Sequence, residues 1–180
     1  MHKPWLSQYA GIPEHIDLTR FNSIPEMFDS AFARYPNRVM ASNMGKSLTY
    51  TEVDSYSKQV AAWLQSLDLQ KGDRVAVMMP NCLQYPIAII GALKAGLIVV
   101  NTNPLYTGPE MRRQFGDAGV AAIVGIDIMA DKIRDVVATS DDIPVILARI
   151  TDFFPGYVAG IIRSIQKVWT RNLPRIDYPY

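Results

Sequence analysis

Four short apolar runs constrain this chain more than any other feature: Arg74–Met79, Leu97–Val100, Ala121–Gly125 and Pro144–Ile150. None alternates between apolar and polar residues. A strand with one wet face alternates, whereas a strand covered on both faces does not. Helical patterns separate the runs. The first begins at Pro86 and continues through Ala95, with Gly96 placed to end it. The second opens on Thr107-Gly108-Pro109-Glu110, reaches Ala118 and is closed by Gly119, and the third covers Asp127–Ala138. The order β-α-β-α-β-α-β over short connections predicts an α/β domain: a mostly parallel sheet with helices on both faces.

The residues before Arg74 add a smaller set of elements. Residues 1–22 carry no periodicity and read as an N-terminal arm. Ser23-Ile24-Pro25-Glu26 is a capping-box pattern, and apolar residues at helical spacing follow as far as Tyr35, where Pro36 stops them. Arg38–Ser42 and Ser47–Tyr50 read as a hairpin around the turn Asn43-Met44-Gly45-Lys46. A helix capped by Thr51 then carries the stripe Val53, Tyr56, Val60, Trp63, Leu64 and Leu67, and Lys71-Gly72 ends it. The domain therefore spans residues 23–154.

Composition supports a packed core, with 49% apolar and 19% charged residues, and removes several function classes. A net charge of +1 gives no global electrostatic case for nucleic acid as a partner. Cys82 is the only cysteine, so neither an internal disulfide nor a CxxC metal or redox pair is expected. The two histidines, His2 and His15, sit in the arm, and no metal ligand set is predicted. The start of the chain lacks the apolar segment of a secretory signal. Tyr85–Val100, the most apolar stretch, is broken by Lys94 and two glycines and is shorter than the ~20 residues of a membrane span. A cytoplasmic location is expected.

Candidate chemistry is sparse. Neither GxGxxG nor GxxxxGK[ST] occurs, and the pairs Gly91/Gly96 and Gly116/Gly119 read as helix packing and helix ends. Asp127, Asp131 and Asp135 share one helix face, but Lys132 and Arg134 are interleaved, which fits a solvated face with Asp127 as the cap. Cys82 follows Pro80-Asn81 near a helix start without a partner for nucleophilic work, and there is no GxSxG elbow. No catalytic residue is predicted.

Three ordered blocks nevertheless carry a resemblance. Leu48-Thr49-Tyr50-Thr51-Glu52-Val53, Lys71-Gly72-Asp73-Arg74-Val75-Ala76-Val77 with Met79-Pro80-Asn81, and Leu93-Lys94-Ala95-Gly96 with Asn101-Thr102-Asn103-Pro104-Leu105-Tyr106-Thr107 together resemble adenylate-forming enzymes. The Asn-Pro-Leu-Tyr-Thr form is similar to fatty acyl-CoA synthetases, and the arm with Pro4-Trp5 and Tyr9 resembles the bacterial long-chain group. The resemblance implies the N-terminal subdomain of that fold. It also implies an AMP-forming ligase that uses ATP and Mg2+, makes an acyl-adenylate from a fatty acid, and passes the acyl group to CoA. In such enzymes the phosphate loop, nucleotide contacts and catalytic lysine come later in the chain. The 180 residues are therefore expected to be inactive alone, to bind no cofactor tightly, and to need the C-terminal remainder of the ligase. Asn81 and Asn103, on loops after strands, are the candidate cofactor-binding residues.

Residues 155–180 differ in kind, with a net charge of +3 against −2 for the rest. They read as a basic amphipathic helix and a connecting loop cut mid-course. Tyr157, Ile161 and Trp169 lie on its apolar face, and Arg163, Lys167 and Arg171 on the other. Three occupants of the apolar face are open: the ligase core, a second subunit in a homodimer, or an anionic membrane touched peripherally at its inner surface. A stand-alone binding module and a docking or oligomerisation module remain the alternatives to a ligase piece.

Overall fold

The computed structural model describes residues 3–15, 17, 19–138 and 143–170. In chain order the main elements are α1 (Ile24–Arg34), β1 (Val39–Asn43), β2 (Lys46–Thr49), α2 (Tyr50–Gln65), β3 (Arg74–Met78), α3 (Gln84–Lys94), β4 (Ile98–Asn101), α4 (Gly108–Ala118), β5 (Val120–Ile126), α5 (Ala130–Val137), β6 (Val145–Ala148) and α6 (Gly156–Thr170). The four predicted buried strands pair in the order β4-β3-β5-β6, parallel throughout. β1 and β2 form a separate antiparallel hairpin. Its turn places Met44 and Gly45 at φ of 49° and 79°, the left-handed pair that a two-residue hairpin turn requires.

Both faces of the parallel sheet are covered, and successive residues from Val75 of β3 to Met79 just beyond it show this. Val75, Val77 and Met79 join Leu64 of α2 and Ala88 and Ala92 of α3 in one core cluster. Ala76 and Met78 join Met111 and Phe115 of α4 and Ile133 and Val136 of α5 in another. A third cluster, with Phe32, Leu48, Val53, Ile87 and Ile90, fastens α1 and the hairpin to α2 and α3. This two-sided burial is why β3 and β5 read as unbroken apolar runs, whereas the edge strand β4 leaves Ile98 49% exposed.

Several boundaries differ from the sequence reading, each for a local reason. The cap of α2 is Thr49, not Thr51, because the capping box needs a spacing of three. Glu52 Oε2 accepts from Thr49 N (2.7 Å), and Thr49 Oγ1 accepts from Glu52 N (3.2 Å). Thr51 instead donates from Oγ1 to Pro36 O (3.0 Å), tying the start of α2 to the end of α1. Helix α3 starts at Gln84, two residues before Pro86, and a proline in the first turn forgoes only an N–H that has no helical partner. Asp127–Met129 is a 3-10 turn ahead of α5 rather than part of it. Glu26 reaches past the cap Ser23 to Asn22, whose N and Nδ2 donate to its Oε2 at 2.9 and 3.0 Å. The arm is not wholly irregular, since Pro4–Gln8 forms a 3-10 helix.

The capping box of α2 makes a simple prediction. Thr49→Ala is expected to lower stability by about 1 kcal/mol, read as a shifted urea midpoint with unchanged slope, and Thr49→Ser to retain most of it. Thr51→Ala is expected to cost less, because its hydroxyl serves an exposed carbonyl.

Candidate functional site

In open α/β sheets ligands lie beyond the carboxyl ends of the strands, where the strand order reverses. Here the chain leaves β3 for β4 on one side and then crosses to β5 on the other, so the switch lies between β3 and β5. The structure brings both sequence-predicted asparagines to this end, Asn81 after β3 and Asn103 after the neighbouring β4. Both are exposed, and both have local work. Asn81 O accepts from Asn43 Nδ2 (3.1 Å), which joins the hairpin to the loop after β3. Asn103 Oδ1 accepts from Leu105 N (2.9 Å), an Asx turn.

Much of the crevice beyond β5 and β6 is filled by the chain's own polar groups. Asp127 Oδ1 accepts from Ile128 N (2.9 Å) and from Ile150 N (3.2 Å), so it joins the ends of two strands rather than capping a helix. Asp152 Oδ2 accepts from Arg149 N (2.9 Å), and buried Gln84 donates from Nε2 to Arg149 O (2.7 Å). Spacing of 23 residues for the Asp127 bond and 65 for the Gln84 bond hid these ties from a linear reading. Beside them an apolar cavity of about 310 Å³ opens between α2, α3 and the β5–β6 half of the sheet. Val60, Ile87, Val124 and Ile146 line it, with Tyr56 and Phe153 at ring separation 5.3 Å.

The other candidates resolve into structure. The motif glycines of two blocks meet each other: Gly72 N donates to Gly96 O (3.0 Å), and both adopt positive φ, 94° and 83°. Gly91 lies where α3 crosses α2, and a Cβ there would stand 2.7 Å from Val60 and 2.9 Å from Ser57 O. Arg134 pairs with Asp131 (2.8 Å) and more loosely with Asp135 (3.9 Å) on an exposed face. Burial pushes the Cys82 thiol up from its ordinary value, against weaker opposing hydrogen bonds from Tyr85 and Gln84, the reverse of an activated thiolate.

Lys94, from the third motif block, is held by partners on two other helices. Its ammonium donates to Asp29 Oδ1 (2.6 Å) and Asp54 Oδ1 (2.8 Å) and sits 5.1 Å from the Phe32 ring centre, so one side chain joins α1, α2 and α3. Burial pulls its pKa down, but the hydrogen bonds and charges of Asp29 and Asp54 prevail and hold it above 10.5. For Asp54, burial alone raises the pKa, and the bonds from Lys58 and Lys94 outweigh it, leaving the carboxyl below 3.8.

On α6, Tyr157 is 74% and Ile161 57% exposed, while Val158 and Ile162 are half-buried. Arg163, Lys167 and Trp169 belong to the helix, but their side chains lie outside the described residues, as does all of Arg171. Among the described residues no helix is long and apolar enough to cross a membrane.

Among the described residues, neither a phosphate cradle nor a metal-ligand cluster is formed. The glycines serve turns and a helix crossing rather than a phosphate cradle. Among the described residues no three His, Cys, Asp or Glu side chains converge as ligands.

Comparison with known proteins gives a consistent result. The chain is 42% identical to a long-chain-fatty-acid–CoA ligase of Yersinia pestis over 99% of its own length and 32% of that protein's. It is 40% identical to a long-chain-fatty-acid–CoA ligase of Bacillus subtilis over 92% of its length and 30% of the relative's. It thus spans about a third of these relatives. Among solved structures, a benzoate CoA ligase from Burkholderia xenovorans LB400 shares the fold with a TM-score of 0.67, at 17% identity, over 71% of this chain and 26% of that one. Residues 28–156, from inside α1 to the start of α6, match the family described as AMP-binding enzyme, and the chain belongs to that family.

Proposed function

We propose that this protein works as the N-terminal part of an AMP-forming long-chain fatty acid–CoA ligase, converting fatty acid, ATP and CoA to acyl-CoA, AMP and pyrophosphate. The observation that carries the proposal is the 40–42% identity to such ligases along nearly the whole chain. In this reading the segment supplies scaffold: a parallel sheet, its helical covers and the loops at its carboxyl edge. ATP and Mg2+ are held by the remainder of the ligase, since no cradle for either is formed among the described residues. The exposed Tyr157 and Ile161 of α6 pack on that remainder, an ordinary use for apolar surface where one domain meets the next.

The test is a chimera in which these 180 residues replace the matching third of the Yersinia pestis relative. The chimera is expected to make acyl-CoA from a long-chain fatty acid with ATP and CoA, and the 180 residues alone to make none. Acyl-CoA from the isolated chain, or a folded chimera without activity, would contradict the proposal.

A further inference from the structure

The parallel sheet ends in two edge strands, β4 and β6, and they are built differently. Along a strand, alternate residues turn their N–H and C=O toward the same neighbour. Ile98 N donates to Asp73 O (2.8 Å) and Thr102 N to Val77 O (3.0 Å), so the even positions of β4 face β3. The Asn101 carbonyl therefore points away from the sheet, and a side chain occupies it there: Gln114 Nε2 of α4 donates to it (3.1 Å). With polar Asn101 at its end and Ile98 at 49% exposure, β4 is an edge that meets water.

β6 has no such device. Ile123 N donates to Pro144 O (2.9 Å), so Pro144, Ile146 and Ala148 face β5, and the N–H and C=O of Val145 and Leu147 point outward. Among the described residues β6 pairs with β5 alone. Pro144 faces inward, so its missing N–H does not blunt the outer side, and Val145–Ala148 carries no charge. The strand is apolar throughout, as an interior strand is, yet all four residues are only half-buried. Ile146 and Ala148 lean on the cluster under α2 and α3, and Val145 and Leu147 on the one under α4 and α5. On the α2–α3 face the cover thins at β6, where Ile146 and Ala148 line the 310 Å³ cavity. Beyond Ala148 the chain turns onto that same face, with Phe153 against Tyr56.

An apolar strand with outward N–H and C=O groups is a template for one more strand. The source follows from length, because this chain spans 32% of the Yersinia pestis relative. A strand from the other two-thirds of such a ligase is tethered to β6 and reaches it at a high effective concentration, whereas a second copy must arrive from dilute solution. We infer that the outer edge of β6 is an intramolecular docking site: a strand from the rest of the ligase pairs with Val145 and Leu147 and extends the sheet. The source of that strand rests on the ligase reading above, whereas the open edge does not.

Hydrogen exchange at single amides, in the 180-residue chain and in the chimera, tests this. In the isolated chain the Val145 and Leu147 amides are expected to exchange roughly tenfold faster than those of Ile146 and Ala148, at every protein concentration. In the folded chimera the same two amides are expected to slow by roughly a hundredfold, to the rate of their neighbours. Slow exchange in the dilute isolated chain would mean that its own residues cover the edge, and slowing that grows with concentration would assign the edge to a second copy. Either result overturns the inference. So do amides that stay fast in a chimera that makes acyl-CoA, a result that leaves the ligase reading standing. A folded chimera that makes no acyl-CoA sinks the ligase reading, while its exchange rates still decide whether β6 is paired.

Discussion

Lys94→Met is expected to lower the stability of this domain by about 2–4 kcal/mol, although methionine keeps the length and most of the volume of the side chain. The Lys94 side chain is 11% exposed and its partner Asp54 21%, so the substitution removes one of the two ammonium groups on a half-buried carboxylate and leaves it the more exposed Lys58 (2.6 Å) alone. Asp29, at 59% exposure, can turn to water, which places the cost below that of a fully enclosed pair. The pH dependence tests the assignment. Asp54 is held below 3.8, so its contribution is present above that value and is lost as pH falls through the lower folded pKa. Lys94 is held above 10.5, so its contribution is complete below that value and is lost as pH rises through the higher folded pKa. The stability difference between wild type and Lys94→Met should therefore be flat from about pH 5 to 9 and shrink at both extremes. A difference that persists unchanged at pH 3 would show that the lysine acts through packing alone.

The second large effect concerns two glycines with opposite outcomes. Alanine is the better helix former by about 1 kcal/mol, so Gly→Ala inside a helix is stabilising where space allows. Gly116 of α4 is exposed with open space around a prospective Cβ, and Gly116→Ala is expected to raise the urea midpoint. Gly91 offers no such room. A Cβ would press on the Val60 side chain at 2.7 Å and on the Ser57 carbonyl oxygen at 2.9 Å, and the oxygen moves only if α2 moves. Gly91→Ala is expected to cost about 1–3 kcal/mol after the propensity gain, because α2 and α3 must separate along their whole contact. Thermal or urea unfolding of the two variants side by side decides it. Equal shifts of the same sign would mean that the helix crossing is not set by this glycine.

How much of this was legible without coordinates follows the range of each interaction. The strands and helices were readable because burial on both faces leaves an unbroken apolar run, as in Arg74–Met78, and because caps such as Thr107 and Glu110 lie three residues apart. The differences at Thr51 and Pro86 are two residues each, where two cap patterns overlap or a proline suits several first-turn positions. The motif glycines read correctly as turn and helix-end residues, since positive φ is a local demand. Lys94 could not be read at all. Its partners stand 65 and 40 residues away, and no pattern along the chain announces a cation that three helices share. The bond from Lys132 Nζ to Pro104 O, 28 residues apart, was hidden in the same way behind a charge alternation that suggested only a wet helix face. Asn81 and Asn103 lie at the carboxyl edge of the sheet, where loops after parallel strands must lie, and the rule for parallel folds says nothing about what occupies that region.

The strand order also bears on how such a chain comes off the ribosome. β3, the first strand of the sheet to be made, sits inside it. β4 then joins one of its sides, β5 the other, and β6 extends β5. Each newly synthesised strand therefore adds to an edge already present, and none has to be threaded between partners that have found each other. Growth by addition alone lets the sheet assemble in the order of translation, with α2, whose Leu64 shares a core with Val75 and Val77, emerging early enough to shield the first strand while it waits for the third.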